Sequence, residues 1–220
     1  MANLTFKQVF QRLLRQYGPQ DWWPGDTAFE IMVGAVLTQN TSWTNVERAI
    51  ENLKQQDALS LSRIIAMSHA QLARLLTPAG YFNVKATRLK NYCLWYESQG
   101  GLSKLKRLST ETLRESLLSV NGVGPETADD ILLYAFDRPV FVIDAYTRRL
   151  FTRLGLVEGG ESYEELRRIF ETKLVRVKDK LGVFNEYHAL IVHHAKYFCR
   201  TKPKCQECCL QRCCVNAVVS

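Results

Sequence analysis

The sequence has no long apolar run. No stretch among its 220 residues approaches the roughly 18 consecutive apolar residues of a membrane span. The start, Met1-Ala-Asn-Leu-Thr-Phe-Lys-Gln8, lacks the basic segment and apolar stretch of a secretory signal. A soluble cytoplasmic protein with no membrane partner is expected, nucleoid-associated if the source is bacterial. Low-complexity linkers and internal repeats are missing too, so any division into domains must come from packing. No run alternates apolar and polar residues for long enough to suggest a sheet, and Val140-Phe141-Val142-Ile143 reads as a buried linker. Cysteine is nearly absent from most of the chain: only Cys93 stands apart, and six of the seven lie between Cys199 and Cys214. Without a secretory signal this clustering points to a local metal or cluster site rather than a disulfide framework.

What is present fits an ordinary folded protein, with 46% hydrophobic and 23% charged residues. A formal charge of +7 and a pI near 9.1 favour an anionic partner, nucleic acid first. Nearly every segment has helical spacing. Phe6, Val9, Phe10, Leu13, Leu14 and Tyr17 share a face, with Thr5 and Gln8 as a capping box and Gly18-Pro19 as the stop. After a loop at 21–26, further helices are expected near 28–37, around Val46 to Leu53, near 61–67, 70–76, 83–96, 111–118, 126–136, 145–154, 163–177 and 185–198. Ser68 with Gln71 and Ser162 with Glu165 are further capping pairs. The fold class expected is all-α.

Between two of these helices lies Ser119-Val-Asn121-Gly122-Val123-Gly124-Pro125-Glu126-Thr127-Ala128. Two glycines around a small apolar residue permit a tight turn. The turn runs straight into a helix N-terminus, whose unpaired N–H groups and dipole favour a phosphate. Pro125 suits the first helical position. Contacts of this kind hold a nucleic-acid backbone without reading its sequence. Taken alone, Gly-x-Gly fits an ordinary helix-turn-helix corner equally well.

With its surroundings, this stretch resembles the helix-hairpin-helix (HhH-GPD) superfamily of DNA glycosylases, which includes endonuclease III. Gly122-Val123-Gly124 matches the hairpin, Thr127-Ala128 the second helix, and Pro139-Val-Phe-Val-Ile-Asp144 the remaining signature. The likeness runs from the Trp22 loop to Cys214. It implies two helical lobes: a central one at 26–138 with the hairpin, and a second from 1–25 plus 139–220 with an iron–sulfur loop at 199–214. An active cleft would lie between them. Asn121, Gly122, Val123, Gly124 and Thr127 would contact DNA.

The resemblance makes Asp144 the catalytic carboxylate. Breaking an N-glycosidic bond passes through a cationic sugar, which a carboxylate stabilises while positioning the attacking water. Asp144 also suits the N-cap of the helix that follows, and the two roles are compatible. Relatives that cut the strand carry a lysine two residues after the second hairpin glycine, whose amine forms a Schiff base. This chain has Glu126 there, which implies a monofunctional enzyme that stops at base removal.

Trp22-Trp23-Pro24, Val33 to Thr41 with Trp43, and Pro78 to Leu89 resemble the 3-methyladenine DNA glycosylase III branch. In that branch aromatics at Trp22, Trp23 and Trp43 line the base pocket, where a flipped cationic purine gains from stacking and cation–π attraction. Core packing is the other reading of any one tryptophan. Gln39 or Asn40 matches the polar wedge that fills the gap left by the extruded base, with Asn40 the better aligned.

Cys199-x5-Cys205-x2-Cys208-x5-Cys214 offers four thiolates, which suit zinc or an iron–sulfur cluster. Structural zinc more often uses two close Cys pairs, and this loop has one. The family carries a [4Fe-4S] cluster on Cys-x6-Cys-x2-Cys-x5-Cys, so the resemblance favours the cluster over zinc. The first interval here is one residue shorter and departs from the family's ligand spacing. Cys209 and Cys213 are extra thiols. His193 and His194 read as helix-face residues, and the interleaved Arg200, Lys202, Lys204 and Arg212 as a basic surface.

The expected protein is a monomeric glycosylase of base excision repair acting on double-stranded DNA with a damaged base, most simply an alkylated purine. Two alternatives stay open: an endonuclease III-like enzyme for oxidised or deaminated bases that retains lyase activity, and a non-catalytic DNA-binding protein.

Overall fold

A computed structural model describes residues 4–20, 22 and 25–218. Among these residues the regular structure is helical throughout, as the spacing predicts, with twelve α-helices and no strand. In chain order these are α1 (Phe6–Tyr17), α2 (Ala28–Leu37), α3 (Trp43–Gln55), α4 (Leu61–Ala66), α5 (His69–Leu75), α6 (Phe82–Ser98), α7 (Leu102–Leu105), α8 (Thr110–Leu118), α9 (Pro125–Asp130), α10 (Ala145–Arg153), α11 (Tyr163–Lys173) and α12 (Lys180–Tyr197). No described helix is long and apolar enough to cross a membrane. The chain divides into two compact units, Trp23–Arg138 and the pair of segments Met1–Trp22 and Pro139–Ser220.

The central unit is built round α2. Every residue from Glu30 to Leu37 is buried, as expected of a helix apolar on all sides. It packs against α3, α6 and a π-helical turn (Ile131–Ala135) that continues α9. The π turn closes through the Phe136 N–H to the Ile131 carbonyl at 3.2 Å. Helical spacing alone does not distinguish it from the α-helix expected over the same residues. The short α7 follows Gly100 and Gly101, both at positive φ, and buries Leu105. Four residues are too few for a periodic signal, so the sequence reading passes over it.

The other unit is held by an aromatic core. Phe170 of α11 lies 4.8 Å from Phe6, 4.4 Å from Phe141 and 4.5 Å from Phe151, centroid to centroid. Tyr187 of α12 donates its hydroxyl to the Phe6 carbonyl at 2.7 Å. The capping boxes of α1, α5 and α11 form as the sequence indicates. Two boundaries differ. Helix α11 stops at Lys173, and Val175 beyond it is 54% exposed. Helix α12 begins five residues before the expected Asn185, because Asp179 caps the Gly182 N–H at 2.9 Å. The polar stretch Lys178-Asp-Lys180 and Gly182 hide that first turn from a search for apolar spacing.

Candidate functional site

The hairpin in the central unit joins α8 to α9. Gly122 has φ +100°, and a Cβ built on it would lie 2.3 Å from Cγ of Arg88, so this position admits only glycine. Gly124 differs. It caps α9 at φ −93°, and beyond its own neighbours in the chain no atom lies within 4 Å of a Cβ placed there. Its bare backbone faces open space. Val123 is buried and donates its N–H to the Val120 carbonyl at 3.0 Å, whereas Asn121 is exposed.

Three side chains buttress this turn. Gln39 donates from Nε2 to the Gly122 carbonyl and to the Thr127 hydroxyl, both at 2.9 Å, while its Oε1 accepts from Arg88. Asn91 donates to the Asn121 carbonyl at 3.2 Å. The helices either side are clamped by a buried ion pair: Arg114 of α8 reaches Asp129 of α9 at 2.6 and 3.2 Å. Breaking a buried pair by removing one partner costs about 3–5 kcal/mol, so this clamp is a main determinant of the hairpin's angle. Gln39 is thus committed to the hairpin. Its neighbour Asn40 is exposed in a left-handed conformation, φ +54°, and Glu126 lies exposed in the first turn of α9.

Of the expected aromatics, Trp43 belongs to the central unit. Its ring edge lies 3.1 Å from where a Gly34 Cβ would stand, and it lines an open groove with Asp26, Glu30 and Lys54. Trp22 belongs to the other unit, where its ring lies 6.0 Å from that of His188. Trp23 falls outside the described residues.

Asp144 caps α10, as its position before Ala145 suggests. Its Oδ1 accepts from the Thr147 N–H at 2.6 Å, and its Oδ2 lies 3.5 Å from Nε2 of His188. Burial pushes the carboxyl up, but the imidazole of His188 beside it, helped by Thr147, holds it below its ordinary value. The group is therefore a carboxylate at neutral pH, and its side chain retains 12% exposure. His188 is the residue that the sequence reading missed. It occupies the apolar stripe Phe184, Tyr187, His188 and Ile191, and a histidine in such a stripe is the available signal.

Beyond α12 the six clustered cysteines are all free thiols, and they divide into two sets. Cys199, Cys205, Cys208 and Cys214 line one small cavity walled by Leu150, Leu154, Phe198 and Leu210. Cys209 and Cys213 instead face α1, with Cys209 3.9 Å from the Tyr17 hydroxyl and Cys213 accepting from Arg12 at 3.1 Å. Among the described residues no three His, Cys, Asp or Glu side chains converge closely enough to hold a single metal ion. His193 and His194 both lie on α12, and His194 is buried. Burial and the neighbouring His193 push it down to about 4, and its Nδ1 lies 2.8 Å from the Tyr17 hydroxyl. Arg200, Lys202, Lys204 and Arg212 are all exposed around the loop.

An all-helical fold, a buttressed glycine hairpin, a capped carboxylate and a cysteine-lined cavity together define a helix-hairpin-helix repair protein. Residues 33–176 match the family model described as "HhH-GPD superfamily base excision DNA repair protein"; the chain belongs to this family of DNA glycosylases. It is 48% identical over 212 residues to the "Putative DNA repair glycosylase MJ1434" of Methanocaldococcus jannaschii, covering 95% of each chain. It is 27% identical over 190 residues to endonuclease III of Sulfolobus acidocaldarius, covering 84% of this chain and 81% of the relative. Among solved structures, the H. pylori 3-methyladenine DNA glycosylase (MagIII) bound to 1,N6-ethenoadenine aligns with a TM-score of 0.75 at 30% identity, over 88% of this chain and 98% of the other. A non-covalent endonuclease III–DNA complex shares the fold, with a TM-score of 0.80 at 20% identity over 97% of each chain.

The two hairpin glycines should respond differently to added bulk. Gly122→Ala, which forces a left-handed conformation and a clash with Arg88, should cost about 1–3 kcal/mol in urea unfolding. Gly124→Ala should leave stability within about 0.5 kcal/mol. Equal losses would contradict the assignment of the strained turn to Gly122.

Proposed function

We propose that this protein is a monofunctional DNA glycosylase that flips a damaged base, foremost an alkylated purine such as 3-methyladenine, out of double-stranded DNA and hydrolyses its N-glycosidic bond. The observation that carries this reading is a half-buried, ionised Asp144 that caps α10 and faces His188, together with Glu126 where a strand-cutting relative has its lysine.

The hairpin grips a phosphate, and the open backbone at Gly124 allows the close approach that such a contact requires. Stacking and cation–π attraction from tryptophan rings would favour a cationic alkylated purine as the extruded base. Trp22, Trp23 and Trp43 are the candidates for these rings, by the resemblance to the 3-methyladenine branch. Exposed Asn40 is the wedge facing the orphaned base, while Gln39 braces the hairpin behind it. As the bond breaks, positive charge develops on the sugar and Asp144 stabilises it. Water adds to the sugar carbon, its proton passes to the carboxylate, and the base leaves with the bonding electron pair. Glu126 cannot form an imine, so the product is an intact strand with an abasic site. The similarity to a structure of 3-methyladenine DNA glycosylase at 30% identity supports the base class.

Cys199, Cys205, Cys208 and Cys214 would hold a [4Fe-4S] cluster, a fit supported by the cavity that these four thiols share. Bound there, the cluster would order the loop and so present its exposed basic side chains to DNA.

Two measurements test this reading. Duplexes carrying 3-methyladenine, hypoxanthine, uracil or thymine glycol should show fastest release for the alkylated purine and no borohydride-trapped adduct. Preference for uracil or thymine glycol would contradict the base class, and a trapped adduct would contradict the monofunctional mechanism. Separately, serine at any of the four cavity cysteines should abolish iron and sulfide binding, whereas Cys209→Ser with Cys213→Ser should leave both unchanged. Iron lost with the second pair would overturn the ligand set.

A further inference from the structure

The two oxygens of Asp144 face groups of different kinds. Oδ1 takes the Thr147 N–H at 2.6 Å, which satisfies the first turn of α10 as any capping aspartate would. A single hydrogen bond restrains the terminal torsion only loosely, since it is broad for a carboxylate and turns both oxygens together. The second, Oδ2, faces Nε2 of His188 at 3.5 Å from a helix distant in sequence. Helix capping does not require this contact.

His188 itself is fixed from several directions. It is only 4% exposed and follows Tyr187, whose hydroxyl is bonded to the Phe6 carbonyl. Glu186 accepts the Gln20 N–H at 2.8 Å, which ties the segment leading to Trp22 onto α12. The Trp22 ring lies 6.0 Å from the imidazole. Three consecutive residues of α12 thus anchor α1, the segment before Trp22, and the carboxylate. An imidazole N–H can donate to a carboxylate oxygen, and the 3.5 Å approach of Nε2 places this ring beside Oδ2.

We propose that His188, with its proton on Nε2, is the positioning residue of the reaction: it holds Oδ2 of Asp144 so that the carboxylate plane is set against the sugar. This role rests on the reading of Asp144 as the catalytic carboxylate.

The test pairs a kinetic readout with one that needs no catalysis. In single-turnover base release, His188→Leu should be about 10²-fold slower, the penalty of a misplaced catalytic group, and His188→Gln, which returns an N–H near the Nε2 position, should recover to within about tenfold of wild type. Binding to a duplex with a non-cleavable 2′-fluoro damaged nucleotide should stay unchanged in both variants. In a 1H–15N correlation spectrum, the His188 ring Nε2 signal should move when Asp144 becomes Asn. Full activity in His188→Leu, equal losses in both variants, or a ring signal indifferent to Asp144→Asn would each overturn the proposal. Wild-type protein that releases no base from any duplex overturns the glycosylase reading and this role with it. A ring signal still sensitive to Asp144 would separate that failure from loss of the contact.

Discussion

A negative charge must be kept in a largely buried place, and the unit formed by the two ends of the chain is arranged around that requirement. Burial opposes the charge on Asp144, and it survives because a backbone N–H and an imidazole offset the lost hydration. Both compensating groups depend on helices meeting correctly. Thr147 must lie in the first turn of α10, and His188 must face it from α12. The packing of α10 on α12, and of α1 beneath them through Phe6, Phe151 and Phe170, therefore fixes the chemistry as much as the fold. The same α10 also meets the cysteine loop, since Arg153 donates to the carbonyls of Arg200 and Thr201, the latter at 3.0 Å.

The central unit meets a different demand, a tight turn rigid enough to present bare backbone. Glycine supplies the geometry but no rigidity, since it has the most freedom to lose. Rigidity comes from outside the turn, through Gln39, Arg88, Asn91 and the Arg114–Asp129 clamp. Asp129 is fully buried, so the clamp excludes water and is correspondingly costly to break.

The sequence was most legible where function and local chemistry coincide. The capping pairs, the hairpin glycines and Asp144 before Ala145 each use a short-range rule, and each has the expected local geometry. The four thiols of the cavity could be told from Cys209 and Cys213 only by spacing borrowed from relatives. Contacts distant in sequence were invisible. Nothing in single-sequence spacing links His188 to Asp144 or Gln39 to Gly122, because those pairings depend on how helices pack. The start of α12 and the whole of α7 were lost for a simpler reason: polar or very short turns carry no apolar period.

Replacing the carboxylate while keeping its shape tests the central claim most directly. Asp144→Asn retains a side-chain oxygen to cap Thr147, so the fold and DNA binding should persist. Single-turnover release of an alkylated purine should fall by several orders of magnitude. A variant that binds damaged duplex normally and still releases the base at the wild-type rate would contradict the assignment of the chemistry to Asp144.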